Sequence, residues 1–224
     1  MPSLQDAIQS MVKDAARLAQ GTRIVGLGSG STAAKIVKEL ASLKDDRMEF
    51  VPTSTQIKIE AEKNNLTIGD ENRIPKIDIV FDGADQIDGS FNMIKGGGGA
   101  LLREKILISS AKRVVILADE SKFVKQFSRP VPIEIHPMAR SSASRKLIDV
   151  GGKPSLRSLD KGYPFITENG NLILDTEFAS IKEPRAKEIE LKSIPGVMEV
   201  GIFTRKADVY YKAKNDGTFQ KITR

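Results

Sequence analysis

The sequence predicts an α/β protein that combines a parallel-sheet domain with a second, smaller α+β domain. Strand and helix patterns alternate through the first half of the 224 residues, an order that gives parallel strands joined by crossover helices. After Phe127 prolines bracket the strands, and the order becomes β-α-β-β-α-β. A last pair of strand patterns flanks Asn215-Asp216-Gly217, which is typical of a hairpin turn.

The first domain is expected to be Rossmann-like, with helices on both faces of its sheet. Apolar residues at helical spacing predict a helix over 4–19, with Ser3 as its N-cap and Gly21 as its end. The elements that follow are a strand at 23–27, a helix after the glycine-rich segment 26–32, a strand at 48–51, a helix at 56–64, strands at 66–68 and 77–81, a helix at 100–111 and a strand at 114–118. This domain is predicted to span 1–128 and to be rejoined by 205–224.

The second domain, 129–204, is expected to have a ferredoxin-like order of elements. Asn169-Gly170 predicts a hairpin between two short strands. The predicted elements are a strand at 131–135, a helix at 138–150, strands at 165–167 and 172–174, a helix from Pro184 to before Pro195-Gly196, and a strand at 197–203.

Composition excludes several kinds of protein. The chain has no cysteine and one histidine, which excludes disulfides, a thiolate nucleophile and a Cys- or His-rich metal site. No apolar run approaches the ~18 residues of a membrane span, and the first 20 residues carry charges that do not fit a signal or transit peptide. We therefore expect a cytoplasmic protein that does not bind membranes.

The net charge of +6 and the pI of about 9.4 suggest a nucleic acid as one alternative partner. The cations are scattered singly and in pairs, and aromatic residues make up only 5% of the chain. We interpret the charge as a solvated, lysine-rich surface, and no nucleic acid partner is expected.

A phosphate-binding turn is indicated by Gly26-Leu27-Gly28-Ser29-Gly30-Ser31-Thr32, between a strand and a helix. Glycines let a ligand approach the backbone, while the helix N-terminus and the hydroxyl groups offer donors to an anion. A P-loop would need Gly-Lys-Ser/Thr, and this turn has no lysine. A dinucleotide site would need an acidic residue at the end of the second strand, where Pro52-Thr53-Ser54-Thr55-Gln56 has none. The motif favours phosphate without nicotinamide, and a simple tight turn is the alternative.

Two carboxylates occur in Asp82-Gly83-Ala84-Asp85, directly after a predicted parallel strand. The carboxyl ends of such strands are where α/β sheets bind ligands. Carboxylates in this position suit sugar hydroxyls or a cation such as Mg²⁺, and a turn cap is the structural alternative.

Three further charged residues are candidates for chemistry. Lys95 precedes a run of four glycines and could neutralise a phosphate or an oxyanion. Glu104 is either a general base or a solvated helix residue between Arg103 and Lys105. Lys122 follows another strand, where it either reaches the same crevice or belongs to an ordinary capped turn.

In their order along the chain, these motifs resemble ribose-5-phosphate isomerase of the A type. The matching segments are Gly28-Ser29-Gly30-Ser31-Thr32, Asp82-Gly83-Ala84-Asp85, Lys95-Gly96-Gly97-Gly98, Arg103-Glu104-Lys105, Asp119-x-Ser121-Lys122, Pro137-Met138-Ala139, Asn169 to Asp175 and Pro195-Gly196-Val197. One departure is Gln86, where the family often has an acidic residue.

The resemblance implies an enzyme of the non-oxidative pentose phosphate pathway. It would interconvert D-ribose 5-phosphate and D-ribulose 5-phosphate through an enediolate, without a metal or an organic cofactor. Glu104 would be the base, Asp82 would open the sugar ring, Asp85 would hold hydroxyls and Lys95 would balance the enediolate charge. The implied substrate-binding residues are Ser29, Gly30, Ser31, Thr32, Asp82, Gly83, Ala84, Asp85, Lys95, Gly96, Gly97, Gly98 and Lys122.

The resemblance also favours a homodimer or a homotetramer, with a small sugar phosphate as the ligand. A non-catalytic sugar-phosphate sensor built on the same fold is the alternative from another functional class.

Overall fold

The computed structural model describes residues 3–43, 45–70 and 76–224. In chain order the elements are α1 (Leu4–Ala16), β1 (Ile24–Leu27), α2 (Gly30–Ala41), β2 (Glu49–Pro52), α3 (Thr55–Lys63), β3 (Ile77–Asp82), β4 (Gln86–Ile87), β5 (Met93–Ile94), α4 (Leu101–Ser110), β6 (Ala111–Asp119), β7 (Val131–Ile135), α5 (Arg140–Asp149), β8 (Gly152–Leu156), β9 (Leu172–Phe178), α6 (Pro184–Lys192), β10 (Val197–Val200), β11 (Ile202–Phe203), β12 (Val209–Ala213) and β13 (Phe219–Thr223). Among the described residues, no helix combines the length and the apolar character needed to cross a membrane.

The chain divides into two compact units. Unit 1 comprises the described residues of Met1–Ala84, together with Arg103–Phe123 and Ala207–Arg224. Unit 2 comprises Asp85–Leu102 and Val124–Lys206. Residues 85–102, which the predicted boundaries place in the first domain, thus have their contacts in unit 2, because β5 pairs with β11. The boundaries of the functional domains stay a prediction.

Unit 1 is built on a six-stranded sheet in the order β13-β12-β6-β3-β1-β2. All neighbours are parallel except β12 and β13, so the C-terminal hairpin joins this sheet beside β6. The helices α1, α2 and α3 share a buried core with one face of the sheet, and Leu107 of α4 lies against the other face near Gly26. This confirms the predicted Rossmann-like architecture. The strand order reverses between β1 and β3, which is where sheets of this kind bind ligands.

Unit 2 contains a four-stranded antiparallel sheet in the order β10-β7-β9-β8. Ala143 and Leu147 of α5 and Leu191 of α6 share a core with Ile133 and Ile135 of the central strand β7. The order β7-α5-β8-β9-α6-β10 is the predicted ferredoxin-like arrangement.

The predicted hairpin across Asn169-Gly170 is wrong in its first strand. The strand that precedes β9 in the chain and pairs with it is β8, whereas Ile166 makes an isolated bridge to Leu172. The segment Gly152-Lys153-Pro154-Ser155-Leu156 has no β-branched or aromatic residue, so its sequence gave no strand signal.

Several other short strands differ from the sequence-based expectation. The pattern at 66–68 yields one bridge, from Ile68 to Phe50. The predicted strand at 197–203 is divided at Gly201, whose N–H donates to the carbonyl oxygen of Pro132 at 2.7 Å. Its second part, β11, pairs with β5, and β5 pairs with β4. Two-residue strands are too short to show an alternating pattern.

Candidate active site

The glycines of the turn between β1 and α2 are required by its geometry. The N–H of Gly28 donates to the carbonyl oxygen of Phe81 at 2.8 Å, which brings the backbone against the end of β3. A β-carbon on Gly28 would lie 1.9 Å from Oδ1 of Asp82. Gly30, the first residue of α2, has φ of +83°, in the left-handed region that favours glycine. The turn is thus shaped to hold Asp82 beside the start of α2.

Glu104 lies in the first turn of α4 and is only 3% exposed. Its Oε1 accepts a hydrogen bond from the hydroxyl of Ser29 at 2.5 Å. This burial contradicts the alternative of a solvated helix residue. Arg103 and Lys105 on either side are more exposed than Glu104, and both are half-buried. The structure therefore brings together Ser29 and Glu104, which the sequence offered in two separate motifs.

The start of α2 carries further donors from the predicted motif. Ser29 occupies the N-cap position, but its hydroxyl group bonds Glu104, so among the described residues the helix has no side-chain cap. Ser31 is exposed and Thr32 is half-buried in the first turn. Backbone N–H groups at such a terminus, with a partial positive charge, suit an anion.

Asp82 is the last residue of β3 and is 2% exposed. Its Oδ1 accepts the N–H of Gly83 at 2.7 Å, which fixes the carboxylate at the carboxyl edge of the sheet. A β-carbon on Gly83 would lie 3.9 Å from Cβ of Thr32, so the two predicted motifs are neighbours here. Ala84, half-buried, is the last residue of this segment of unit 1.

Lys122 ends a short 3₁₀ turn, Glu120–Lys122, that follows β6. Asp119 caps this turn by accepting the N–H of Ser121 at 2.9 Å, so the capped-turn interpretation is correct for the backbone. Because β6 and β3 are parallel neighbours, half-buried Lys122 lies at the same edge of the sheet as Asp82.

The remaining predicted residues belong to unit 2. Asp85 accepts the N–H of Gly97 on Oδ2 at 2.8 Å, and its own N–H donates to the carbonyl oxygen of Ile94 at 2.8 Å. Arg129 approaches Oδ1 of Asp85 at 4.0 Å. A β-carbon on Gly97 would lie 2.7 Å from the same oxygen. The carboxylate of Asp85 therefore fixes one peptide of the glycine run.

Lys95 is 3% exposed, and its ammonium group lies 5.6 Å from the centroid of the Phe203 ring. Its N–H donates to the carbonyl oxygen of Gly201 at 2.9 Å. Gly96, with φ of +104°, is tightly packed against Leu101, whereas Gly97 and Gly98 are exposed. Of this exposed pair, Gly98 can present its backbone N–H to a ligand, whereas the N–H of Gly97 donates to Asp85.

Sequence reasoning missed Arg157, which bonds the glycine run directly. Its Nη1 donates to the carbonyl oxygens of Gly96 at 2.8 Å and Gly97 at 3.2 Å. Its Nε and Nη2 donate to Asp175 at 2.8 and 2.5 Å. The one available signal was the Asp175 in the matching segment around Asn169, since nothing in the residues beside Arg157 singles it out.

The departure at Gln86 is explained by its hydrogen bonds. The side-chain amide donates to the hydroxyl of Ser128 at 2.7 Å, and its oxygen accepts the N–H groups of Ser128 and Arg129 at 2.9 and 3.0 Å. Gln86 therefore fixes the backbone of unit 2 at Ser128 and Arg129. Asp82 and Asp85 keep their own hydrogen bonds, from the N–H groups of Gly83 and Gly97.

The arrangement in unit 1 defines a class of protein. Buried carboxyl groups stand beside a glycine-rich, hydroxyl-bearing turn at the point where the strand order reverses, which is the layout of an α/β enzyme working on a polar, anionic substrate. In the part of the chain that the structure describes, His, Cys, Asp and Glu do not form a group of three suited to a metal ion.

The chain belongs to the ribose 5-phosphate isomerase A family. The model of that family, described as ribose 5-phosphate isomerase A (phosphoriboisomerase A), matches residues 49–217. The ribose-5-phosphate isomerase A of Methanosarcina acetivorans is 44% identical over 214 residues, which cover 94% of this chain and 91% of the relative.

Solved structures agree with this membership. A D-ribose-5-phosphate isomerase in complex with phospho-erythronic acid is 35% identical, with a TM-score of 0.93 and full coverage of both chains. The ribose 5-phosphate isomerase A of Methanocaldococcus jannaschii is 35% identical, with a TM-score of 0.91, and the match covers 99% of this chain and 100% of that one. The resemblance stated from the motifs is confirmed, and the chain is an aldose–ketose isomerase of ribose 5-phosphate and ribulose 5-phosphate.

Proposed function

We propose that Glu104 is the base that moves the proton in this isomerisation. An aldose and its ketose differ by the position of one hydrogen between C1 and C2, so a single group can remove it and return it. The observation that carries the proposal is the burial of Glu104 together with its hydrogen bond from Ser29. That bond fixes the carboxylate in one orientation at the carboxyl edge of the sheet.

The proposed reaction starts from the open-chain aldose. Glu104 takes the proton from C2, the electrons of the C–H bond form a C1=C2 double bond, and the carbonyl electrons move onto O1. The enediolate then gains a proton on O1 and loses the one on O2, and Glu104 returns its proton to C1. The product is ribulose 5-phosphate, and the carboxylate is restored.

Asp82 and the turn after β1 are assigned to ring opening and binding. Asp82 would move the proton between the ring oxygen and O1, supported by its fixed position next to Gly83. Ser29, Gly30, Ser31, Thr32, Gly83, Ala84 and Lys122 would bind substrate oxygens. The uncapped N–H groups of α2 and the cation at the same edge support binding of an anion.

The residues of unit 2 are assigned to the sugar hydroxyls and to the enediolate charge. Asp85 would hold hydroxyl groups, and Gly96, Gly97 and Gly98 would line the binding site. Lys95, with the N–H of Gly98, would stabilise the negative oxygen. A relative holds phospho-erythronic acid, a compound with a phosphate and a carboxylate, which supports a site for an anionic sugar derivative in this chain.

The proposal is tested by Glu104→Gln, which keeps the size of the side chain but cannot accept the C2 proton. We expect kcat to fall by about 10²–10⁴-fold, with binding of ribose 5-phosphate within a few-fold of the original. Exposed Glu62 in α3 supplies the matched control, Glu62→Gln, which should leave turnover unchanged.

Hydrogen exchange sharpens this test. In ²H₂O the unaltered enzyme should incorporate deuterium into the sugar through the enediolate, whereas Glu104→Gln should not. A Glu104→Gln enzyme that exchanges at the original rate would place the base elsewhere, with Asp82 as the next candidate.

We also propose a homodimer or homotetramer. Large apolar side chains are exposed along one connection of unit 2: Leu159 at 56%, Tyr163 at 68% and Ile166 at 53%. Grouped exposed apolar residues are typical of an interaction surface, here for a second copy of the chain. Sedimentation analysis of Tyr163→Asp against the unaltered protein would detect the loss of self-association.

We further propose that the enzyme acts in the cytoplasm, within the non-oxidative pentose phosphate pathway. A sugar phosphate is charged and does not cross a hydrocarbon layer unaided, so the enzyme must share the compartment in which its substrate is made. Fractionation of cells that express the protein would test this location.

A further inference from the structure

We infer that Arg157 is a positioning residue of the isomerase, which acts by fixing the direction of the glycine-run amides. The inference rests on the proposed role of those amides. We use the name guanidinium clamp for Arg157, Asp175 and the two carbonyl oxygens, of Gly96 and Gly97, that Arg157 binds.

Within the glycine run, a hydrogen bond from the N–H of Gly99 to the carbonyl oxygen of Gly96 at 3.0 Å closes a turn around Gly97 and Gly98. Glycine has no side chain whose packing could restrict the backbone dihedral angles. Both Gly96 and Gly99 have φ values in the left-handed region. Gly99 is packed from outside, since a β-carbon there would lie 2.4 Å from the ring of Phe165. The bond between Gly99 and Gly96 does not involve the peptide between exposed Gly97 and Gly98, which depends on hydrogen bonds of its own.

The peptide between Gly96 and Gly97 is held at both ends. Its carbonyl oxygen accepts from Nη1 of Arg157 at 2.8 Å, and its N–H donates to Oδ2 of Asp85 at 2.8 Å. A planar peptide that is bonded on both sides cannot rotate. Asp85, already assigned to the substrate, and Arg157 therefore share one peptide.

The next peptide, between Gly97 and Gly98, is oriented by a second hydrogen bond from Arg157. Arg157 also binds the carbonyl oxygen of Gly97 at 3.2 Å. In a planar trans peptide the N–H points away from the carbonyl oxygen, so this bond directs the N–H of Gly98 to the side opposite Arg157. A cation on the carbonyl oxygen also polarises the peptide and strengthens its N–H as a donor.

Asp175 gives the clamp its geometry. It takes Nε and Nη2 of Arg157 in a two-point ion pair, which leaves Nη1 for the two carbonyl oxygens. The side chain of Arg157 is 15% exposed, and its guanidinium carbon lies 5.8 Å from the centroid of Phe165. A planar fork that bonds on two edges is a property of arginine, and lysine cannot reproduce it.

The test is Arg157→Lys, which keeps the charge beside Asp175 but offers one nitrogen in place of three. If the clamp positions donors for the enediolate, kcat should fall about 10- to 100-fold while KM for ribose 5-phosphate changes by less than about 3-fold. The affinity for phospho-erythronic acid, whose carboxylate carries charge near the same end of the sugar, should fall with kcat.

Arg47 provides the matched control. It forms a two-point ion pair with Asp45 at 2.9 Å on both arms, and it belongs to unit 1. Arg47→Lys should leave kcat unchanged. In a second pair of variants, Arg157→Ala should regain activity when methylguanidinium is added, and Arg47→Ala should not respond.

Each outcome decides the inference. An unchanged kcat in Arg157→Lys, or a loss that appears only in KM, overturns it. If Arg157→Lys does not fold, rescue of Arg157→Ala by methylguanidinium supports the inference and lack of rescue overturns it. Glu104→Gln is assayed beside them: its loss of turnover with an unaffected Arg157→Lys removes this inference alone, whereas an active Glu104→Gln removes the assignment of the base alone.

Discussion

Gly28 shows how the lack of one side-chain atom shapes the site. The carboxylate of Asp82 occupies the space in which the β-carbon of any other residue would stand. Glycine at this position therefore has a positional reason, separate from the conformational reason at Gly30.

Gly28→Ala should displace the carboxylate of Asp82 from its bond to the N–H of Gly83. We expect at least a 10-fold loss of kcat, since a displacement of about 1 Å near the reacting atoms has costs of this size. Gly89→Ala is the control, because no atom lies within 4 Å of the added carbon and φ there is not in the left-handed region. A Gly28→Ala enzyme with full activity would mean that the position of Asp82 does not matter to the reaction.

At the scale of single residues, the sequence was informative where chemistry and position coincide in a short motif. Glu104 could be named as a candidate, but its burial could not be foreseen, because the flanking Arg103 and Lys105 are typical of a solvated helix face. Arg157 could not be named at all, since its partners lie in segments distant in the chain and only the fold brings them together.

At the scale of elements, Asp78 links β1 to β3. It interrupts the apolar run of β3, and its carboxylate accepts the N–H groups of Arg23 and Ile24 at 3.0 Å each and the ammonium of Lys112 at 2.5 Å. The hydrogen bond from Lys112, followed by those backbone N–H groups, lowers the pKa of Asp78 to about 2. The ionised carboxylate thus stabilises the start of two strands that carry the site.

Asp78→Asn should lower the free energy of unfolding at pH 7 by about 1–2 kcal/mol, because the ammonium of Lys112 is half exposed and the pair is partly screened. A folded pKa below the unfolded value of about 3.9 gives stability that is complete above pH 4 and is lost as pH falls towards 2. Urea unfolding across this window should therefore show a shallower pH dependence in Asp78→Asn. Exposed Asp149 supplies the control, and equal slopes in the two variants would contradict the prediction.

The elements that the sequence revealed are the long ones with a clear period. The buried strand β3 and the amphipathic helix α1, with its Ser3 and Asp6 capping box, are of this kind. The strands β4 and β5 were missed because two residues are too short to show a period, and β8 was missed because its residues lack the β-branched and aromatic side chains typical of strands.

At the scale of the whole molecule, activity should survive removal of metal ions. Lys95 is a buried cation, and under the proposed assignment it supplies the enediolate oxygen with a donor from the protein itself. We expect equal turnover before and after dialysis against EDTA. If Mg²⁺ were needed to restore activity, Asp82 and Asp85 would have to be reassigned as metal ligands.

Unphosphorylated ribose should be a very poor substrate. The binding groups proposed at the start of α2, at Lys122 and in the glycine run are donors or cations that suit a phosphate. Binding energy from a remote phosphate also positions the reacting carbons. Side-by-side measurement of kcat/KM for ribose and ribose 5-phosphate should give a ratio of several orders of magnitude. Comparable values would remove the argument for phosphate binding at these motifs.

The order of the strands along the chain also affects folding during synthesis. Strands β6 and β12 lie side by side in unit 1, yet most of unit 2 is synthesised between them. A ribosome adds ~5–20 residues per second, so for several seconds one edge of the apolar strand β6 lacks its partner, β12. During that interval the edge is open to other strands and to chaperones, and it is closed only when β12 emerges.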